Sequence, residues 1–99
     1  MAGRIAVRRS RRAQDDIFDI WLYVADSNPS AADRILDDIE RVFAMIAEYP
    51  QIGRERPEVR LGLRSFAVTP WVIFYRTAEH SVDIVRVVHG ARDLDELDY

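Results

Sequence analysis

Between residues 50 and 63 the hydrophobic period of this chain changes, and that change limits what it can fold into. Before it, Ala13, Ile17, Ile20, Trp21 and Val24 recur at i, i+4, i+7, i+8 and i+11, one stripe of a 3.6-residue helix. Ser10 stands where an N-cap belongs, so a first helix is expected over about 11–25. Ser27-Asn28-Pro29 then supplies a turn, with Asn28 as the next N-cap and Pro29 at the first helical position, where its missing N–H costs nothing. The second helix places Ile35, Leu36, Ile39, Val42, Phe43 and Ile46 on a wide apolar face and stops at Pro50 and Gly53. Arg34 with Asp38 and Asp37 with Arg41 are its expected outer pairs at i, i+4. So short a link packs the two helices antiparallel.

After the change, residues 63–68, 71–76 and 82–89 are rich in β-branched and aromatic side chains and read as three strands. Their connectors, Thr69-Pro70 and Thr77-Ala78-Glu79-His80, are too short for a parallel crossover, so the strands form an antiparallel meander. Residues 4–8 alternate polar and apolar and add a strand at the start. The order is β-α-α-β-β-β: one α+β domain over residues 1–99, an antiparallel sheet with an N-terminal αα-hairpin packed on it. Trp71, Ile73 and Tyr75 alternate with Val72 and Phe74, and Val82, Ile84 and Val88 with Val85 and Val87, so both sheet faces are apolar. A helical hairpin covers one face. The other is covered either by the chain's own tail and loops or by a protein partner.

Charge is unevenly spread. Residues 1–12 carry five Arg and no acid, residues 13–50 nine acids against two Arg, residues 51–92 seven Arg against four acids, and residues 93–99 four acids alone. All 14 basic residues are Arg, so an anionic partner would meet the Arg-bearing segments rather than the whole surface. Without cysteine there is no disulfide, thiol nucleophile or zinc-thiolate site. The longest apolar runs are too short to span a bilayer, and no apolar stretch of the secretory type follows the basic N-terminus. We therefore expect a cytoplasmic protein with no membrane partner.

The four glycines are scattered, which leaves no phosphate cradle, and His80 and His89 have no carboxylate at metal-binding spacing. No cofactor and no metal are expected. The serines lie in no nucleophile context. The densest cluster is His89-Gly90-Ala91-Arg92-Asp93, where His89 can serve as acid or base and Arg92 can bind phosphate. More simply, the same residues suit a structural strand end, with Asp93 paired to Arg92 or capping the following turn and His89 bonded to backbone. Trp71 and Tyr75 suit base stacking or, more simply, core packing. Arg54, Arg56, Arg60 and Arg64 suit phosphate, an acidic peptide or plain solvation.

Taken in order, Ala13-Gln14-Asp15-Asp16-Ile17, Tyr49-Pro50-Gln51-Ile52-Gly53-Arg54, Gly62-Leu63-Arg64-Ser65-Phe66, Val72-Ile73-Phe74-Tyr75-Arg76 and Ile84 through Asp93 resemble the ParE/RelE toxin family, nearest its ParE branch. The resemblance implies a toxin of a type II toxin–antitoxin system, bound as a hetero-oligomer by an antitoxin whose acidic, amphipathic C-terminal segment wraps it. It further implies either poisoning of DNA gyrase, as in the ParE branch, or ribosome-dependent mRNA cleavage, as in the RelE branch; a non-toxic antitoxin-binding member is a third possibility. Ribonuclease members commonly carry an Arg in the third strand, where this chain has Val72-Ile73-Phe74, and Asp95, Glu96 and Asp98 crowd Tyr99. Gyrase is therefore the expected target, with no catalytic residue. The target contacts implied are Arg56, Arg60, Trp71, Arg76, His89 and Arg92. The antitoxin contacts implied are Arg54, Arg64, Phe66, Phe74 and Arg86.

Overall fold

A computed structural model describes residues 5–91 and 97–99. Strand β1 (Ala6–Arg9) leads into helix α1 (Arg11–Ala25) and helix α2 (Pro29–Glu48), followed by β2 (Arg54–Glu55), β3 (Arg64–Val68), β4 (Trp71–Thr77) and β5 (Ser81–His89). Both helices start as their caps dictate. Ser10 Oγ accepts the Ala13 N–H at 2.9 Å and donates to the Val85 carbonyl at 2.8 Å, so the cap also ties α1 to β5. Asn28 Oδ1 accepts the Ala31 N–H at 3.1 Å, with Pro29 opening α2.

The five strands form one sheet in the order β1-β5-β4-β3-β2. The meander β3-β4-β5 is antiparallel, as its short connectors require. Two features differ from the sequence reading. First, β1 pairs with β5 in parallel, Ala6 opposite Ser81 through Arg9 opposite Ile84, which makes the sheet mixed. The connector rule governs neighbours in sequence, whereas β1 meets a strand more than 70 residues away. Second, the two-residue β2 adds an edge to β3, with Arg54 opposite Ser65. Its two charged residues carry no period. The expected i, i+4 pairs on α2 are replaced by Arg41 with Asp38, at 2.8 Å and i, i+3.

The helical hairpin packs Ile20, Ile39, Phe43 and Ile46 against Ile73, Tyr75, Val82, Ile84 and Val87 on one sheet face. Tyr75 is fully buried there and closes the turn after α2: its hydroxyl accepts the Gly53 N–H at 2.7 Å and donates to the Pro50 carbonyl at 2.9 Å. A Cβ at position 53 would overlap that hydroxyl, which explains the glycine.

The opposite face settles the alternative left open by the sequence. Phe74, Val85 and Val88 are covered by the chain's own Val59, Leu63 and Leu97, with Val72 and Tyr99 packed alongside. A register shift at Phe74/Tyr75 skips Val85 in the β4–β5 ladder, which lets Val85 and Val88 share this face. Tyr99 meets the Phe74 ring edge-on at 5.2 Å. Here the second apolar face is an intramolecular core.

Candidate functional site

The Arg-rich segment after β2 is largely committed to that second core. Arg56 donates from Nε to Glu58 at 2.7 Å and from Nη1 to Ser65 Oγ at 3.0 Å, and its guanidinium lies 5.8 Å from the Phe74 ring centre. This pairing holds the Glu58 carboxyl below its ordinary range, chiefly through the hydrogen bond from Arg56. Arg60 lies 5.6 Å from the Tyr99 ring centre and donates to the Val59 carbonyl. Arg64 turns back to the Gly53 carbonyl at 2.8 Å. Arg54 is exposed on the edge strand, and Arg76 sits across from Asp83.

The antitoxin contacts implied by the resemblance differ in their exposure. Phe74 is fully buried and Arg86 is 6% exposed. Arg86 donates to Asp16 twice, at 2.7 and 2.9 Å, and to the Asp98 carbonyl at 2.9 Å. Asp16 also accepts the Val87 N–H at 3.0 Å. The hydrogen bonds from Arg86 to the Asp16 carboxylate raise the Arg86 pKa above its already high ordinary value, against the opposing effect of burial. A buried guanidinium needs such a bidentate partner, and α1 supplies it. Phe66 is half-buried against the helix-side core, and Arg54 and Arg64 lie near β2.

Of the implied target contacts, the structure brings Trp71 and His89 together. They are paired residues of β4 and β5, with rings at 5.5 Å and 86°. His89 Nδ1 accepts the Ala91 N–H at 3.0 Å, so neutral His89 carries its proton on Nε2. Arg56, Arg60 and Arg76 lie elsewhere, and Arg92 falls outside the described residues. Trp71 and His89 form one wall of an open cleft of about 500 Å³, with Pro70 beside them and Ile20, Tyr23, Val24 and Ile35 of the hairpin opposite. Asp16 and Asp19 also line it. The buried Trp71 Nε1 has no hydrogen-bond partner among the described residues.

Such a cleft offers apolar and aromatic contact, the character of a recognition site. Tyr23, 77% exposed, was not singled out by the sequence reading. Its signal was present, because Tyr23 is a large aromatic of α1 that the stripe of Ala13, Ile17, Ile20, Trp21 and Val24 leaves out. Among the described residues, no group of His, Cys, Asp and Glu could hold a metal ion, and no helix is long and apolar enough to cross a membrane.

Comparisons with known proteins place this architecture. Toxin ParE3 of Caulobacter vibrioides is 35% identical over 93 residues, 93% of this chain and 91% of that protein. Toxin RelE2 of the same organism is 37% identical over 82 residues, 82% of this chain and 90% of that protein. A chain of the chromosomal ParDE toxin–antitoxin system from P. aeruginosa shares the fold, with a TM-score of 0.73 at 21% identity over 87% of this chain and 96% of that one. The family described as the ParE toxin of the type II toxin-antitoxin system, parDE, matches residues 7–94. By that match and these identities, the chain belongs to the ParE toxin family, within the wider ParE/RelE group of type II toxins.

Proposed function

We propose that this toxin arrests bacterial growth by binding DNA gyrase and holding it in a stalled state, without chemistry of its own, and that a cognate antitoxin neutralises it. It acts in the cytoplasm and forms a hetero-oligomer with the antitoxin. The observation that carries this reading is the burial of Arg86 and of the centre of β4. Arg86 is locked between Asp16 and the Asp98 carbonyl, and Ile73 and Phe74 are fully buried, so none of them is offered to a phosphodiester. What the sheet end offers is the Trp71–His89 cleft, which suits recognition of a protein surface. Stalling then follows if the contacts made there are stronger in one state of gyrase than in the others.

The alternative reading, mRNA cleavage on the ribosome, is favoured by the identity with the relative named Toxin RelE2. Inducing the chain alone in bacteria and pulse-labelling DNA and protein synthesis in the first minutes separates the two. Early loss of DNA synthesis with filamentation is expected. Early loss of protein synthesis would replace gyrase by the ribosome, and no loss of either would mark a non-toxic member.

A further inference from the structure

The cleft between the hairpin and the start of β4 holds one carboxylate with no partner among the described residues, and that carboxylate indicates what the cleft takes. Helix α1 lines the cleft through Asp16, Asp19, Ile20, Tyr23 and Val24, at i, i+3, i+4, i+7 and i+8, so one face of the helix supplies apolar wall, aromatic ring and carboxylate together. Asp16 and Asp19 also line a neighbouring polar hollow with Arg11, Arg12, Asp15 and Arg86. Each of those arginines already has a carboxylate. Arg86 meets Asp16 at 2.7 Å, Arg12 meets Asp98 at 3.1 Å and Arg11 meets Asp15 at 3.7 Å. Asp19, which is exposed, has neither an ion pair nor a hydrogen bond among the described residues.

The occupant follows from desolvation. A group that fills the cleft takes water from Asp19, so an apolar occupant leaves a poorly hydrated carboxylate, and an acidic segment or a phosphate adds repulsion. A long side chain with an apolar stem and a cationic head meets both demands, because its methylenes lie along Ile20 and Val24 while its head reaches the carboxylate. Two aromatic rings border the same space: Tyr23, 77% exposed, and Trp71, half-buried beside His89. A planar guanidinium stacks on such rings and forks onto a carboxylate, whereas a lysine ammonium is a strongly hydrated point charge. Arg56 over Phe74 and Arg60 over Tyr99 make the ring contact within this chain.

We propose that the cleft takes an arginine side chain of the target protein, its guanidinium paired with Asp19 and lying against the rings of Tyr23 and Trp71. The proposal rests on the reading of this cleft as the toxin's recognition site and adds the chemistry of the anchor. Asp19 is then the residue that sets specificity, selecting a basic anchor and rejecting an acidic one.

The test separates the anchor from the target. The full chain is titrated with acetyl-Leu-Arg-Leu amide, with the same peptide carrying citrulline, which keeps the shape and removes the charge, and with a glutamate counterpart. Nuclear magnetic resonance follows the indole N–H signals of the two tryptophans. The Trp71 signal is expected to move and that of Trp21, bonded to Asp33, to stay still. The arginine peptide should bind at least about fivefold tighter than the citrulline one. Asp19→Asn should abolish that preference without changing the melting temperature, whereas Asp37→Asn, which removes the same charge from the hollow beside Arg34 and Arg41, should keep it. Equal binding of the arginine and citrulline peptides by the parent would overturn the proposal, as would preference for glutamate. So would binding seen only after Arg92→Ala, because the chain's own arginine would then be the occupant. In a supercoiling assay with purified gyrase, Asp19→Asn should lose about fivefold in potency. Full potency of that variant would overturn the proposal and leave the gyrase reading intact, whereas a parent that selects the arginine peptide yet spares gyrase would overturn that reading and leave the anchor standing.

Discussion

The two faces of the sheet solve one problem in different ways. On one side, two capped helices lay a continuous stripe of large residues over Ile73, Tyr75 and Ile84. On the other, a few residues from the loop before β3 and from the C-terminal end cover Phe74, Val85 and Val88, with Arg56 and Arg60 stacked on the aromatic rings. The difference teaches that apolar alternation on both faces of a strand does not by itself announce a partner. Three or four well-placed side chains close a small face. Arg56 and Arg60, which look free in the sequence, are spent in closing it.

The two faces are joined by the buried pair of Asp16 on α1 and Arg86 on β5, and breaking it should have the largest effect. Asp16→Ala leaves an uncompensated guanidinium and is expected to lower stability by about 3–5 kcal/mol in urea titration. A loss below about 1 kcal/mol would mean that Arg86 reaches water easily, and its exclusion from chemistry would fall with it. Next come matched truncations, one on each face. Ile46→Ala under the hairpin should cost about 3 kcal/mol, and Leu97→Ala in the thin cover about 2 kcal/mol, because a cover of single residues collapses onto the gap more readily. Equal losses would erase the contrast between the faces.

How much of this was legible follows from the kind of signal each element carries. Both helices and the meander announce themselves through period, caps and connector length, and Ser10, Asn28 and Pro29 act as their residue types require. The parallel pairing of β1 and the second cover were not legible. Val59, Leu63 and Leu97 are isolated apolar residues in irregular segments, with no period to assign them a face. The site was half legible. Trp71 and His89 were singled out and do meet, but the exposure of Tyr23 depends on how the hairpin is rotated against the sheet. Arg86 and Phe74 look like surface residues only until α1 and the C-terminal residues are in place.

Smaller effects sharpen the comparison further. Tyr75→Phe removes the partner of the Gly53 N–H and is expected to cost about 1 kcal/mol at neutral pH. Burial pushes the Tyr75 hydroxyl above its ordinary value of 10.0. Its stabilisation is therefore fully present below that value and is lost as pH rises through the raised one. Unfolding followed from neutral to alkaline pH should show a steeper decline for the parent than for Tyr75→Phe. The smallest effect belongs to Glu58 on the second face. Because Arg56 lowers its pKa, its contribution is present above the ordinary value of 4.5 and fades as pH falls through the lowered one. Glu58→Gln should lower the neutral urea midpoint slightly and reduce its drop on acidification by the same small amount.

The most direct test is made with purified chain, purified gyrase and relaxed plasmid DNA, reading supercoiling and the accumulation of cleaved DNA complexes. We expect the parent to inhibit supercoiling and accumulate such complexes, and Trp71→Ala and His89→Ala, folded as judged by circular dichroism, to lose at least about tenfold in potency. Unimpaired supercoiling, together with cut mRNA in a translating extract treated with the same preparation, would contradict the gyrase reading and assign this toxin to the ribosome.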